Sequence, residues 1–219
     1  MSAARTFDRL ARIYRPLEYL AFGRDLERAR FAHLSRLRDC GNILVAGEGD
    51  GRCLERLLSA APRARIECLD ISAAMLAAAK ARLAGRADAD RVAFRHADLL
   101  TTDLPAAAYD AAVTFFFVDC FSAGQADGVL RRIHGSLRPG ALWLWADFAL
   151  PNAGLARLRA RIWLAVLYAF FRWQTSLSAR ELPPMERFFQ HAGYEALADS
   201  LWQKGLVRSV AWRKVEKSS

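Results

Sequence analysis

The sequence has no long hydrophobic run and no closely spaced cysteine pair. Its longest apolar run, Ile162 to Phe171, has ten residues, against the roughly twenty that span a bilayer. The four cysteines form no C-x-x-C pair, so neither zinc nor disulfide bonds are indicated. The N-terminus mixes acids with arginines and has no apolar segment before a small-residue cleavage site, which argues against a secretory signal. We expect a cytoplasmic protein without a transmembrane helix or a metal.

Internal repeats, low-complexity segments and Pro/Gly/Ser-rich linkers are also absent. A chain of 219 residues with 53% apolar content is long enough to bury one sizeable core. We therefore expect a single structural domain.

The net charge of +9 is carried by arginines spread along the whole chain. A basic chain suggests nucleic acid or an anionic membrane surface as a partner. However, the arginines form no compact run interleaved with aromatic residues for base stacking, which makes nucleic acid a poor candidate and favours solvated arginine faces.

The most informative segment runs from Asn42 to Leu58. An apolar run breaks at Gly47, Gly49 and Gly51 and resumes with helical spacing. The pattern predicts a strand, a glycine turn and a helix, whose N-terminal N–H groups face a ligand. The third glycine of a G-x-G-x-x-G dinucleotide motif is absent, because Arg52 occupies its position.

Acids follow the next strands along the chain. Asp70 ends the apolar stretch RIECLD, where a carboxylate can accept both hydroxyls of a ribose. Asp98 and Leu99 follow a further short strand and suit an adenine amino group and ring face. A buried strand from Tyr109 runs into aromatics and ends at Asp119, and Leu137 to Gly140 are expected to end a helix before the next strand, ALWLWADF. The alternation of strands and helices from residue 42 to residue 148 predicts a parallel sheet with helices on both faces, and ligands then lie at the carboxyl ends of its strands.

This order of motifs resembles the class I S-adenosylmethionine-dependent methyltransferases, and most closely the ubiquinone and menaquinone C-methyltransferases. The resemblance implies an α/β, Rossmann-like, doubly wound sheet of seven strands, mostly parallel with an antiparallel C-terminal strand. It also implies an N-terminal helical lid over residues 1–40, ahead of a methyltransferase domain over residues 41–219. The C-terminal sequence, a helix and a hairpin with Gly193 and Gly205 in its turns, matches the end of that fold.

The same resemblance implies S-adenosylmethionine as cofactor and a small molecule as methyl acceptor. The residues assigned to the cofactor are Tyr14, Gly47, Glu48, Gly49, Gly51, Asp70, Ile71, Asp98, Leu99 and Phe115. Tyr14 belongs to the lid and is assigned to the cofactor carboxylate; an amphipathic helix packed on the sheet explains it equally well.

One position departs from the family pattern. The acid that usually stands two residues before the first glycine is replaced by Val45. Glu48, inside the loop, is our candidate for the carboxylate that meets the cofactor's ammonium group.

Because a sulfonium brings its own activation, the protein chiefly aligns the acceptor and excludes water. A phenol or an acidic carbon still benefits from a general base. Asp119 is our first candidate and Asp147 the second, although a helix N-cap or an ion pair with an arginine explains Asp119 equally well. Cytosine-C5 methyltransferases use a cysteine nucleophile soon after the corresponding strand, normally next to a proline. Cys120 has no such proline before it, so we interpret it as an inert thiol.

The arginine-bearing apolar stretch from residue 155 to residue 173 has three explanations: burial, the wall of an apolar pocket, or contact with a membrane interface. Burial is the commonest of the three. Overall the sequence predicts transfer of a methyl group to a small aromatic or lipophilic, phenol- or quinone-like acceptor. The side chains expected to line an apolar pocket for it are Tyr14, Tyr19, Phe22, Phe116, Phe117 and the aromatics from Trp163 to Trp173. A nucleic-acid or protein methyltransferase and a non-catalytic cofactor-binding protein remain alternatives, and the oligomeric state is not encoded in any motif.

Overall fold

Strands and helices alternate along the part of the chain that the computed structural model describes, which is residues 23–151, 153–155, 157–163 and 185–215. The strands are β1 (Asn42–Ala46), β2 (Arg65–Asp70), β3 (Val92–His96), β4 (Tyr109–Phe115), β5 (Leu137–Phe148), β6 (Tyr194–Trp202) and β7 (Val207–Lys214). The principal helices are α1 (Asp25–Phe31), α2 (Arg52–Ala60), α3 (Ala73–Leu83), α4 (Ala123–Ser136) and α5 (Met185–His191).

The strands form one seven-stranded sheet in the order β3-β2-β1-β4-β5-β7-β6. The first five strands in that order are parallel, and β7 is antiparallel to both of its neighbours. The predicted sheet and its antiparallel C-terminal strand are confirmed. Because the parallel strands all end at the same edge, the loops that follow them lie side by side there.

Each face of the sheet carries its own hydrophobic cluster. One cluster joins α1, α2 and α3 to side chains such as Ile43 and Val113, and the other joins α4 and α5 to side chains such as Leu44 and Trp143. Successive residues of one strand therefore point to opposite faces, and both faces are covered. The near-continuous apolar composition of β1 and β4 follows from this two-sided burial.

The predicted start of β5 is wrong by several residues. The sequence places Leu137 to Gly140 at the end of a helix, whereas the strand already begins at Leu137, which pairs with Tyr109. Arg138 holds this segment by bonding to the Ala107 carbonyl oxygen at 3.1 Å and pairing with Asp110. A register shift between Tyr109 and Ala111 accommodates the irregular start.

The lid predicted over residues 1–40 is described only from residue 23 onward, where α1 and a short 3₁₀ helix, Leu34–Leu37, pack on the first cluster. Tyr14 lies outside the described residues. In the later stretch, residues 154–155 and 157–163 are helical, Ala160 is 1% exposed and Trp163 packs on the same cluster. No helix in the described ranges is long and apolar enough to cross a membrane.

Arg91 closes the C-terminal end of α2. Its guanidinium donates to the carbonyl oxygens of Leu58, Ala61 and Ala64 at 2.9 to 3.0 Å, and it bonds to Asp88 at 3.2 Å. The last carbonyl groups of a helix have no partner within the helix. Arg91 supplies a partner for Leu58 of this last turn and for the two carbonyl groups that follow the helix, and it thereby ties the start of β3 to α2.

We expect Arg91→Ala to lower the free energy of unfolding by about 1–3 kcal/mol, because it strips charge-assisted bonds from partly buried carbonyl groups. Urea denaturation of the variant and the wild type measures this difference. Arg63→Ala, which removes an exposed arginine of the turn between α2 and β2, is the control and should stay within about 0.5 kcal/mol of wild type. Equal losses in the two variants would contradict the capping role.

Candidate functional site

The glycine loop between β1 and α2 is shaped by what packs against it. A Cβ atom at Gly47 would overlap the ring of Phe117, and one at Gly51 would lie 2.8 Å from the Ala79 Cα atom of α3. Gly49, with φ +76°, has no atom within 4 Å of the corresponding position. The missing Cβ atoms of Gly47 and Gly51 therefore let the protein's own side chains and backbone pack against the loop. Of the three glycines, only Gly49 leaves open space above the loop.

Glu48 caps α2 from within the loop. Its Oε1 atom accepts the N–H of Cys53 at 2.6 Å and the N–H of Leu54 at 3.4 Å, so it satisfies N–H groups that a helix start leaves unpaired. Burial raises the pKa of the Glu48 carboxyl to about 7, although the Cys53 N–H and the nearby Arg30 act in the opposite direction. Its assignment to the cofactor's ammonium group stays a prediction.

Arg30 reaches this loop from α1, and the sequence analysis did not single it out. Its guanidinium carbon lies 4.9 Å from the ring centre of Phe116, and its charge acts on Glu48. Phe116 has φ +51° and its ring packs edge-on against Phe148. Arg30 is one of many arginines in the first forty residues, and no spacing or motif distinguishes it.

Asp70 joins the glycine loop to the loop that follows β2. Its Oδ1 accepts the Ser72 N–H at 2.8 Å, and its Oδ2 accepts the Gly49 N–H at 3.4 Å. The Asp70 carbonyl oxygen accepts the N–H of Ala97 at 3.0 Å, which brings the end of β3 alongside. The side chain is 8% exposed, and burial raises the pKa of its carboxyl while those N–H groups oppose the shift.

Ile71, Asp98 and Leu99 occupy the next two loops along this edge. The Ile71 carbonyl oxygen is bonded to the His96 ring at 2.9 Å. Asp98 is half-buried and accepts the Leu100 N–H at 2.8 Å. Leu99 is 3% exposed and belongs to the second hydrophobic cluster, so its side chain supports the loop from beneath.

Asp119 and Asp147 form a pair at the ends of β4 and β5. The Asp119 N–H donates to Asp147 Oδ2 at 3.3 Å, and the two carboxyl groups also interact directly. Burial raises the pKa of Asp119 to about 6, whereas burial and the neighbouring Asp119 charge raise the pKa of Asp147 well above its usual range. Two adjacent carboxyl groups do not ionise together readily, so Asp147 keeps the proton and Asp119 ionises first.

Exposure separates the two members of this pair. Asp147 is 2% exposed and its Oδ1 accepts the Phe148 N–H at 2.9 Å, whereas Asp119 is only partly buried. Asp119 is therefore the carboxyl that an outside molecule can reach. Cys120 donates its S–H to Asp119 Oδ1 at 3.6 Å, and burial raises the pKa of that thiol well above its usual range, which is consistent with an inert thiol.

The predicted site residues that the structure describes thus lie along one edge of the sheet. Phe115 ends β4 there and is 7% exposed. The described ranges hold no group of three or more His, Cys, Asp or Glu side chains placed to bind a metal ion.

Part of the chain is similar to a known protein family. Residues 44–143 match the model of a family described as a methyltransferase domain. This stretch runs from β1 into β5 and contains the glycine loop, Asp70, Asp98 and Asp119. No curated protein matches the chain in sequence.

Many solved structures share the fold. Mitomycin 7-O-methyltransferase MmcR superposes with a TM-score of 0.66 at 20% identity, over 88% of this chain and 55% of that one. Human N-acetylserotonin methyltransferase, solved with S-adenosylmethionine, gives 0.65 at 16% identity, over 98% and 57%. The 1,6-didemethyltoxoflavin-N1-methyltransferase of Burkholderia thailandensis, solved with its substrate and S-adenosylhomocysteine, gives 0.62 at 20% identity, over 99% and 92%.

These likenesses confirm the predicted Rossmann-like fold, and residues 44–143 are similar to a methyltransferase domain. The chain spans little more than half the length of the first two proteins. Neither the family description nor the shared fold distinguishes the ubiquinone and menaquinone subtype.

We expect Glu48→Gln to weaken the pH dependence of stability. Glutamine keeps an oxygen for the Cys53 and Leu54 N–H groups but does not ionise. Because the folded state raises the pKa of Glu48 from 4.5 to about 7, it holds the proton more tightly than the unfolded chain does, and wild-type stability falls as the pH rises through this interval.

Urea denaturation at about pH 5 and about pH 8 measures the effect. The loss of unfolding free energy between these two pH values should be smaller in Glu48→Gln than in wild type. Glu55→Gln on the outer face of α2 is the control and should lose as much as wild type. An identical loss in wild type and Glu48→Gln would show that Glu48 does not titrate in this range.

Proposed function

We propose that this chain transfers a methyl group from S-adenosylmethionine to a small aromatic or lipophilic acceptor of phenol- or quinone-like character. The observation that carries the proposal is the meeting, at one edge of the sheet, of an open glycine loop, the Asp70 carboxylate and the Asp119–Asp147 pair. The first two suit a nucleoside, and the third suits an acceptor that must lose a proton. The methyltransferase domain over residues 44–143 supports the reaction class.

The loop and its neighbours fit the nucleoside half of the cofactor. The open space above Gly49 lets a ligand approach the backbone closely. Asp70 faces that loop through its bond to the Gly49 N–H, and its oxygens retain lone pairs for ribose hydroxyl groups. We assign Asp98, one strand further along the edge, to the adenine amino group.

When bound, S-adenosylmethionine supplies a methyl group already activated on a sulfonium centre. The remaining work of the protein is to align the acceptor and to keep water out. Apolar surface for an aromatic acceptor is provided by Phe116, whose ring packs on Phe148 at the end of β5, and by Phe117, whose ring packs on Gly47 after β1. The predicted contributions of Tyr14, Tyr19 and Phe22 lie outside the described residues.

Asp119 is assigned the role of general base. Its pKa of about 6 leaves it ionised at neutral pH but still basic enough to take a proton from a phenol-like hydroxyl group. Asp147 keeps its own proton and donates a hydrogen bond to Asp119, so it positions the base without touching the acceptor. This division of roles between the two candidates rests on the 2% exposure of Asp147.

The structural neighbours support a small-molecule acceptor. Their names specify a mitomycin, N-acetylserotonin and a toxoflavin precursor as the molecules methylated. They also include both O- and N-methyltransferases, so the proposal does not extend to the acceptor atom.

Val45 favours the non-catalytic alternative, because the usual acid is missing there. The Val45 side chain, in β1, is 1% exposed and lies in the first hydrophobic cluster, whereas Glu48 places a carboxylate in the loop that follows. Binding of S-adenosylmethionine without methyl transfer to any of a panel of phenols, quinones and amines would support this alternative.

We expect Asp70→Asn to weaken S-adenosylmethionine binding by about tenfold to a hundredfold, because it removes the charged acceptor for two hydroxyl groups. Calorimetric titration with S-adenosylmethionine and S-adenosylhomocysteine measures both affinities. The control is Asp90→Asn, which replaces an exposed acid near the amino-terminal end of β3. This variant should bind as wild type does. Absence of binding to the wild-type protein would overturn the proposal.

We expect Asp119→Asn to lower kcat/KM for a phenolic acceptor by about a hundredfold or more while leaving S-adenosylmethionine affinity unchanged. The wild-type rate should fall as the pH drops through about 6, because the carboxylate then takes up a proton. Asp127→Asn, an exposed acid on α4, is the control and should retain the wild-type profile. A rate independent of pH in this range, with full activity in Asp119→Asn, would remove Asp119 from the mechanism.

A further inference from the structure

The segment after β5 presents an apolar stripe to solvent. Leu155, Leu158 and Ile162 are 86%, 57% and 58% exposed, and their spacing of three and four residues places them on one side of a helix. The opposite side faces the protein, because Ala160 is 1% exposed and Trp163 packs on the first cluster. The stripe is therefore the outer face of an anchored helix.

Arginines flank this stripe on both sides. At 100° per residue, Arg159 lies next to Leu155, and Arg161 lies next to Leu158 on the other side. From residue 151 to residue 180 the sequence contains five arginines and no acidic residue. Within its own segment the apolar face is thus flanked by cations and by no acid, which suits it electrostatically to an anionic surface.

The helix is held against the sheet by side-chain contacts. Arg159 donates to Gln203 Oε1 at 3.2 Å, and Gln203 in turn donates to Asp25 of α1 at 2.5 Å. Next to Gln203, the exposed Lys204 adds a further cation. These contacts join the helix that carries the stripe to the loop between β6 and β7. That loop lies at the same edge of the sheet as Asp147.

We propose that this face is a docking surface for a membrane that contains anionic lipids. The leucine and isoleucine side chains enter the boundary between headgroups and acyl chains, and the arginines meet the lipid phosphates. A second copy of the chain is a weaker explanation, because arginines bordering both stripes would face each other across a symmetric interface. A lipophilic acceptor held in the same membrane would then arrive at the edge that carries Asp119, but the docking surface does not depend on the methyl-transfer reaction.

Co-sedimentation of the full chain with vesicles tests the proposal without cofactor or acceptor. The protein should bind phosphatidylcholine vesicles that contain about one third phosphatidylglycerol, bind pure phosphatidylcholine weakly, and dissociate as salt rises. Leu158→Ser and Ile162→Ser should each lower the partition coefficient about tenfold, and Arg161→Gln about fivefold. Circular dichroism verifies that each variant is folded.

Matched control residues lie at the opposite end of the sheet, near the amino-terminal ends of the parallel strands. Val215→Ser removes an apolar side chain that is 47% exposed, and Arg63→Gln removes an exposed arginine; both should bind vesicles as wild type does. The proposal is overturned if wild type does not bind anionic vesicles, or if the stripe variants bind as tightly as it does. It is also overturned if light scattering shows self-association that Leu158→Ser abolishes while vesicle binding is absent, since the stripe would then be an interface between copies.

Discussion

Close packing around the glycine loop is the constraint on which the rest of the site depends. The Phe117 ring occupies the space that a Cβ atom at Gly47 would need, and the backbone of α3 approaches Gly51 in the same way. These contacts hold the loop between β4 and α3, so the N–H of Gly49 is directed toward Asp70. Any side chain at either position would separate the loop from its neighbours and move the N–H groups that a ligand meets.

Burial of carboxyl groups at this edge gives each acid a different character. Glu48 uses its oxygen to cap α2, Asp70 accepts N–H groups from two loops, and Asp119 shares its environment with the protonated Asp147. Their pKa values are all raised, and in each case burial is the largest cause. Asp147 keeps its proton, Asp119 ionises with a pKa of about 6, and the pKa of Glu48 is about 7, so these three groups are poised to position or take up a proton.

The helix at residues 157–163 is buried on one side only. Burial was the commonest explanation for this stretch. It holds fully for Ala160 and partly for Trp163, but Leu155, Leu158 and Ile162 are exposed. Sequence periodicity shows which side chains share a face, but it does not show which face meets the protein. That choice is made by the contacts of Arg159, Gln203 and Asp25.

The sequence by itself determined the order of strands and helices, the glycine loop and the acids that follow β2, β3 and β4, because apolar periodicity and glycine spacing are local properties of the chain. It misplaced the start of β5, because pairing of Leu137 with Tyr109 depends on a distant strand. It also did not reveal the roles of Arg30, Glu48 and Asp147. Only the tertiary structure decided these roles. The Arg30 guanidinium over an aromatic ring, the Glu48 helix cap and the proton on Asp147 depend on distances between side chains and backbone that the fold brings together.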